Sequence, residues 1–228
     1  MNTMYDILLQ LPLFQGLSVK EFTSIIEKVK LDFGKYRTGE LIVESGERCS
    51  NLVFLIRGVV EIISTSHTGN ISIVEYVEAP AVFEPDALFS LNGHFFSTYK
   101  GYKETQIVQM DKSYIFSVLD QFEICRMNFR ILLSRGGINL NRKVWDYHPD
   151  GAEQNLFSYI YERVHYDFGR KSIRCKMEDL AQEVGMNRMK VSKILNDWSE
   201  EGLIELHRQS FEIPDCKAWI EALKSRQV

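Results

Sequence analysis

The chain has 228 residues, of which 45% are hydrophobic and 25% are charged, with a formal net charge of -4 at pH 7. This length predicts two domains, each large enough to bury a core of its own. The composition is typical of a globular protein, and the net charge argues against a protein that coats nucleic acid non-specifically. Any binding to nucleic acid should therefore be confined to a local basic patch.

The N-terminal segment has no features of a signal peptide. Met1–Asp6 contains no basic residue, and the apolar run after it is interrupted by Gln10, Pro12 and Gln15. No stretch has the apolar length needed to cross a bilayer. We therefore expect a cytoplasmic protein without a membrane partner.

Two kinds of hydrophobic pattern follow each other along the first half of the chain. Leu8 to Val29 has helical periodicity, with a capping box in which Ser18 precedes Glu21 by three residues. From Leu31 to Met110, short β-branched and aromatic runs alternate with turn residues, which predicts an antiparallel sandwich or roll. The runs are Glu40–Val43, Leu52–Ile56, Val59–Ile63, Ile71–Val77 and Thr105–Met110, and the predicted turns carry Gly34, Gly39, Gly46, Gly58 and Gly69.

A long helix is predicted after Asp111. Its apolar and small residues recur at spacings of four and three, which is the seam of a two-stranded coiled coil, at Phe129, Leu133, Gly136, Leu140, Val144 and Tyr147. Glycine destabilises the interior of a helix, so the pair Gly136–Gly137 needs an explanation. Either a second helix or a ligand approaches closely at these residues, or the helix is broken there. His148–Pro149 ends this helix, and Asp150 with Glu153 begins the next. The predicted domains are 1–120, 121–147 and 148–228.

The segment Met177–Trp198 has the pattern of a helix-turn-helix. One apolar stripe ends at Gly185–Met186, and a second begins after Asn187, which is a favourable N-cap. The stripes consist of Leu180, Ala181 and Val184, then Val191, Ile194, Leu195 and Trp198. The opposite face of the second helix is polar and basic, so it suits a DNA major groove.

The glycine-rich strands and the helix pair together resemble a known family. Gly34–Glu47 followed by Leu52–Ile62 resembles the cyclic-nucleotide-binding β-roll. With the helix-turn-helix, nearly the whole chain resembles the Crp/Fnr family of bacterial transcription regulators. The resemblance implies an α+β fold with an N-terminal antiparallel β-roll, a long dimerisation helix and a C-terminal winged helix-turn-helix. It also implies a homodimer on double-stranded DNA, contact with RNA polymerase if it is an activator, and no enzymatic activity.

The resemblance assigns roles to residues of the helix-turn-helix and wing. Base contacts fall to Arg188, Met189, Ser192 and Lys193, and phosphate contacts to Lys176, Asn187, Lys190 and, on the wing, His207. Met189 stands where many members carry an acid that accepts a hydrogen bond from cytosine, so we expect a different operator. Lys176 stands where a capping Ser or Thr is usual, so the first helix should be weakly capped.

The region that would bind a cyclic nucleotide departs from the family pattern. Glu84–Pro85 replaces the glycine-glutamate pair, and Phe96 stands where an arginine would hold the phosphate. We therefore predict no tight binding of cyclic AMP, with Lys100 or Lys103 as the alternative cations. The candidate pocket for another effector consists of Phe83, Glu84, Ser97, Thr98, Gly137 and Ile138.

Cofactor binding is not expected. The cysteines, Cys49, Cys125, Cys175 and Cys216, are scattered, and none lies before Leu31, which excludes the ligand set of an iron–sulfur cluster. The histidines have no paired spacing typical of a metal or haem site. Two alternatives remain: an effector-independent regulator with a degenerate roll, and a cupin-like metalloenzyme, against which the lack of clustered His and Glu ligands argues.

Overall fold

The computed structural model describes residues 4–145 and 151–227, and the side chains of residues 5–134 and 151–226. The chain divides into two compact units, Met1–Glu61 with Val77–Asn139, and Ile62–Tyr76 with Leu140–Val228. Among the described residues, no helix is both long and apolar enough to span a membrane.

The first unit contains an antiparallel β-roll between short N-terminal helices and the start of a long helix. Its elements are α1 (Met4–Leu9), α2 (Val19–Ile26), β1 (Leu31–Tyr36), β2 (Leu41–Val43), the first part of β3 (Asn51–Thr65), the end of β4 (Ile71–Glu78), β5 (Ala81–Phe83), β6 (Thr98–Asp111), α3 (Ser113–Ser117) and α4 (Glu123–Trp145), with 3-10 turns at Ala87–Phe89 and Leu119–Gln121. Strand β6 pairs with β1 and β2, and β3 pairs with β5, all antiparallel. This confirms the predicted antiparallel β-roll.

The capping box of α2 forms as predicted. The Ser18 hydroxyl oxygen accepts from the Glu21 N–H at 3.3 Å, and the Ser18 N–H donates to Glu21 Oε2 at 2.9 Å. The cap starts the helix where Phe22 enters the core, edge-to-face with Phe14 at 5.3 Å between ring centroids. The N-terminal helices are thereby packed into the hydrophobic core of the roll.

Two of the predicted turn glycines lie in strands instead. Gly34 is within β1 and has no positive φ, so no turn occurs there. Gly58 lies inside β3, which joins the two runs predicted as separate strands, Leu52–Ile56 and Val59–Ile63. Gly58 has a φ of 81°, and a Cβ at this position would lie 2.1 Å from the carbonyl oxygen of Lys103. The glycine is needed because β6 approaches the β3 backbone too closely for any side chain.

The second unit combines the outer part of the β3–β4 hairpin with a helical C-terminal region. Its further elements are α5 (Ala152–Tyr161), β7 (Lys171–Cys175), α6 (Met177–Glu183), α7 (Arg188–Glu200), β8 (Glu205–His207), β9 (Ser210–Ile213), α8 (Cys216–Lys224) and a 3-10 turn at Ser225–Gln227. Strand β4 pairs with β7, β7 with β9, and β9 with β8, all antiparallel. Trp219 packs against both Phe157 and Trp198 in the core of this unit.

A buried ion pair fixes the hairpin within this sheet. Lys171 Nζ lies 2.9 Å from Glu75 Oε1, and the two side chains are 0% and 1% exposed. Glu75 also accepts from the His165 and Tyr166 N–H groups at 2.9 and 3.2 Å, and its Oε2 lies 2.8 Å from His165 Nδ1. Burial by itself would raise the pKa of Glu75, but the His165 hydrogen bond and the Lys171 charge together lower it to about 2. Glu75 is therefore a carboxylate with partners on both oxygens.

The long helix α4 runs through Gly136–Gly137 without a break in its backbone, so of the two alternatives the break is wrong. Tyr147, His148–Pro149 and Asp150 lie outside the described residues. The next helix begins at Ala152 with Gly151 as its N-cap. Asp150, predicted to begin this helix together with Glu153, is not described, and the Glu153 carboxylate accepts from Trp198 Nε1 at 2.7 Å and pairs with Arg226.

Candidate nucleic-acid interface

Helices α6 and α7 form the predicted pair, joined by a turn in which Gly185 has a φ of 65°. Asn187 is the N-cap of α7, and its Oδ1 accepts from the Lys190 N–H at 2.8 Å. The apolar stripe of α7 is buried, as expected, at Val191, Ile194, Leu195 and Trp198. Burial of this face leaves the opposite face of α7 as the surface available to a partner.

The side chains predicted to read bases lie on that outer face. Arg188, Met189 and Lys193 are exposed, and Met189 is 77% exposed although it is apolar. Ser192 is half-buried, and Lys190, predicted to contact phosphate, is exposed. The face therefore presents three cations and one methionine from a single rigid helix.

Arg188 has a partner that the sequence did not indicate. Its Nε lies 3.1 Å from Oε1 of Glu178 in α6, and both side chains are mostly exposed. A contact through Nε leaves the end-on edge of the guanidinium, formed by its two terminal nitrogens, for a planar acceptor. Glu178 thus restricts the rotamers of Arg188 without using the edge that recognises guanine.

Lys176, Arg188 and His207 line one cleft of about 260 Å³ between the start of α6, the start of α7 and the β8–β9 hairpin. Lys176 makes no side-chain cap to α6, as the sequence predicted. Strands β8 and β9 form the predicted wing, with Arg208 and Gln209 in its turn and Gln209 at a φ of 60°. Exposed Arg208 is a further cation at the wing tip that the sequence analysis did not single out.

The wing also brings together a group of side chains that spacing along the sequence does not reveal. Ligand atoms of Glu205, His207 and Glu212 lie within 4.8 Å of one another. Glu205 and Glu212 are directly opposite across the hairpin, and His207 is on the same face two residues along. Glu212 is also paired with Arg170, which supplies positive charge beside the two carboxylates. The cluster lies on the wing, whereas the cupin-like alternative would place a metal site in the roll.

In the roll, the structure brings together four of the predicted pocket residues, Phe83, Glu84, Ser97 and Thr98. Phe83 stacks on Tyr99 at 4.1 Å between ring centroids. Glu84 Oε2 accepts from the Phe96 N–H at 2.6 Å, and Oε1 accepts from the Ser97 N–H at 2.9 Å and the Tyr99 hydroxyl at 3.2 Å. Thr98 Oγ1 accepts from the Ser45 N–H at 3.1 Å.

The remaining predicted pocket and seam residues lie in the second half of α4. Gly137 falls within the helical backbone, and the side chain of Ile138 lies outside the described residues, as do those of Leu140 and Val144. Gly136 likewise falls within the helix.

Earlier in α4, the predicted seam residues Phe129 and Leu133 are half-buried, and Phe129 packs edge-on against Phe89 at 5.8 Å. They line an apolar cleft of about 330 Å³ together with Phe89 and Phe116.

Comparison with protein families gives two matches. Residues 33–122 match a cyclic nucleotide-binding domain, and residues 155–219 match a Crp-like helix-turn-helix domain. A CRP-like cAMP-activated global transcriptional regulator of Mycobacterium tuberculosis is 25% identical over 221 residues, which is 94% of this chain and 97% of that protein.

Comparison with solved structures gives similar chains. A structure described as a transcriptional regulator of the Crp/Fnr family from Eubacterium rectale aligns over 94% of this chain and 98% of its own, with a TM-score of 0.52 and 15% identity. The catabolite activator protein of Thermus thermophilus aligns over 95% of this chain and 100% of its own, with a TM-score of 0.49 and 17% identity.

Proposed function

The chain belongs to the Crp/Fnr family of transcription regulators, and we propose that it acts as a homodimer on a two-fold symmetric DNA site without control by cyclic AMP. The observation that carries this proposal is the outer face of α7. Its cations are exposed on a helix whose apolar face is fixed in the core, so they are ready to enter a major groove.

Base reading falls to Arg188, Met189, Ser192 and Lys193. The end-on edge of Arg188 suits the O6 and N7 acceptors of guanine, and a partner such as Glu178 lowers the entropy lost when it binds. Exposed Met189 offers apolar contact, such as to a thymine methyl group, and cannot accept a hydrogen bond from cytosine as a carboxylate would. The operator should therefore differ from one read by an acidic residue at this position.

The phosphate contacts fall to Lys176, Asn187, Lys190 and His207, with Arg208 as an addition at the wing tip. Lys176 and His207 line the same cleft as Arg188, so one DNA backbone passing the cleft would lie near both. Asn187 already uses Oδ1 as the cap of α7, which leaves its amide group to donate to a phosphate. These residues position the duplex and carry little sequence information.

Dimerisation through α4 is supported by apolar side chains that the first unit leaves exposed. Met127 and Ile131 are 54% and 45% exposed and lie one turn apart on the helix. The predicted seam residues Phe129 and Leu133 line an apolar cleft on the other side of the same helix, roughly 200° around its axis from Met127 and Ile131. A partner helix would cover the Met127–Ile131 face, and the two-fold symmetry would then place two copies of α7 on one DNA site.

The dimer is tested by a double variant, M127E/I131E. We expect it to sediment as a monomer and to lose most of its affinity for a symmetric site, because two carboxylates would oppose their own copies across the two-fold axis. The control is Lys20→Glu, an exposed change on α2 with the same change in net charge. A double variant that sediments as the wild-type dimer would reject the Met127–Ile131 face of α4 as the interface.

DNA recognition is tested by selection of binding sites from random duplexes. We expect a two-fold symmetric sequence whose half-site centres are about one helical turn, or roughly 34 Å, apart. Selection that returns no common sequence, or a single asymmetric site, would reject the proposed mode of binding. If the protein is an activator, RNA polymerase is a further partner, and the position of the selected site relative to promoters would decide between activation and repression.

A further inference from the structure

Glu84 occupies an arrangement of donors that is built for an anion. The N–H groups of Phe96 and Ser97 and the hydroxyl of Tyr99 all donate to its carboxylate, at 2.6, 2.9 and 3.2 Å. Successive backbone N–H groups that converge on one point form an anion-binding concavity. We call these three donors the amide nest.

Two of the three donors of the amide nest belong to buried residues, Ser97 and Tyr99, and the third belongs to Phe96, which is exposed. Ser97 is 0% exposed, and Tyr99 is buried and stacked on Phe83 with an angle of 15° between the rings. Ser45 supports the same loop, because its hydroxyl donates to the Phe96 carbonyl oxygen at 2.7 Å. Donors held in this way do not need to reorganise when an anion binds.

The backbone of Glu84 is held in a conformation that directs its side chain to these donors. Its φ is 31°, a left-handed value that non-glycine residues adopt rarely. The following residue is Pro85, which disfavours the right-handed helical alternative at Glu84. A rare backbone conformation at a residue with three hydrogen-bonding partners indicates that the hydrogen bonds of the Glu84 carboxylate determine the local backbone structure.

We propose that the amide nest is an anion-binding site whose resident ligand is the carboxylate of Glu84 itself. A phosphate or a cyclic phosphodiester uses the same donors, and it would meet both an occupied nest and the negative charge of Glu84. The nest admits such an anion only after the carboxylate is removed. The inference rests on the proposed cyclic-AMP-independent regulator and gives a structural reason for it, beyond the loss of an arginine.

The experiment follows the backbone amide resonances of Phe96 and Ser97 in the full-length protein during titration with inorganic phosphate, and separately with cyclic AMP. In Glu84→Ala we expect saturable shifts at both amides, with phosphate bound at least ~10-fold more tightly than in the wild type. The matched control is Asp86→Ala, which removes a neighbouring exposed carboxylate and should bind phosphate as the wild type does.

Three results would overturn the proposal. The first is a folded Glu84→Ala protein that shows no saturable shifts. The second is a gain in phosphate affinity in Asp86→Ala equal to that in Glu84→Ala. The third is binding of either anion to the wild type as tight as to Glu84→Ala. If Glu84→Ala does not fold, Glu84→Gln replaces it, and its affinity for phosphate must exceed that of the wild type because a neutral amide competes less well for the donors.

DNA affinity of the wild type is measured on separate samples. A wild-type protein that does not bind DNA would reject the proposed function, whereas the phosphate titrations would still decide whether the amide nest binds an anion.

Discussion

Removing the charge of Glu75 should destabilise the second unit more than any other single change to its buried ion pair. In Glu75→Gln, the ammonium group of Lys171 stays fully buried and keeps the Phe168 carbonyl oxygen, 2.7 Å away, as an acceptor. An uncompensated buried charge costs roughly 3–5 kcal/mol. That is a large part of a total stability of roughly 5–15 kcal/mol.

Lys171→Met should cost less, about 2 kcal/mol, because Glu75 would keep the N–H groups of His165 and Tyr166 and the ring of His165. The double variant E75Q/K171M should then be more stable than Glu75→Gln alone, since it contains no buried ammonium. The coupling free energy between the two positions must then exceed the cost of Lys171→Met alone, so it is larger than about 2 kcal/mol.

The assay is urea unfolding followed by tryptophan fluorescence. Trp198 and Trp219 are both 0% exposed in the core of the second unit and report its unfolding directly. Glu78→Gln is the control, since Glu78 is exposed at the end of the same strand and its loss should change stability by less than about 0.5 kcal/mol. Losses in the two single variants that simply add in the double variant would refute the reasoning.

Three further predictions concern pH, backbone space and thiol reactivity. Folding lowers the pKa of Glu75 from 4.5 to about 2, so Glu75 contributes about 3 kcal/mol to the free energy of unfolding above pH 4.5, and this contribution is lost as the pH falls toward 2. Measurements of stability against pH should show this loss in the wild type and not in Glu75→Gln. Gly58→Ala should lower the free energy of unfolding by about 3 kcal/mol or more. Gly69→Ala should lower it by only roughly 1 kcal/mol, because Gly69 also has a positive φ but has open space around it. Urea unfolding measures both values. Burial raises the pKa of Cys49, Cys125 and Cys175 to about 11, so alkylation near neutral pH, followed by mass spectrometry, should be about 100-fold slower in the folded than in the unfolded protein.

The helix-turn-helix could be predicted from the sequence because its determinants are local. The apolar stripes of α6 and α7, the glycine in their turn and the cap at Asn187 all lie within Met177–Trp198. Helical periodicity and capping act over a few residues, so the sequence contains the information directly. The same holds for the capping box at Ser18 and Glu21.

Contacts between distant parts of the chain could not be predicted. Strand β1 has only half-buried and exposed residues, without alternation, and no β-branched side chain, and it forms because β6 lies beside it. Glu84–Pro85 can be read from the sequence as a departure from the family pattern, but nothing local indicates that the carboxylate reaches the amides of Phe96 and Ser97. Likewise, a charged residue within the apolar strand β4 was visible at Glu75, whereas its partner Lys171 was not.

The domain ranges inferred from the sequence stay a prediction, as do the roles of individual residues on α7. The compact units place the outer part of the β3–β4 hairpin with the C-terminal region, through the pairing of β4 with β7. Hydrophobic patterning identifies strands but does not identify their neighbours, so this pairing has no signature in the sequence.

The central claim is that the outer face of α7 reads DNA sequence. It is tested most directly by measuring the affinity of Arg188→Ala and Lys190→Ala for the selected site and for each of its single-base variants. We predict that Arg188→Ala loses discrimination of roughly 1–3 kcal/mol at one base position of each half-site, whereas Lys190→Ala weakens binding to every sequence alike. Equal losses from both substitutions on every sequence would contradict the claim.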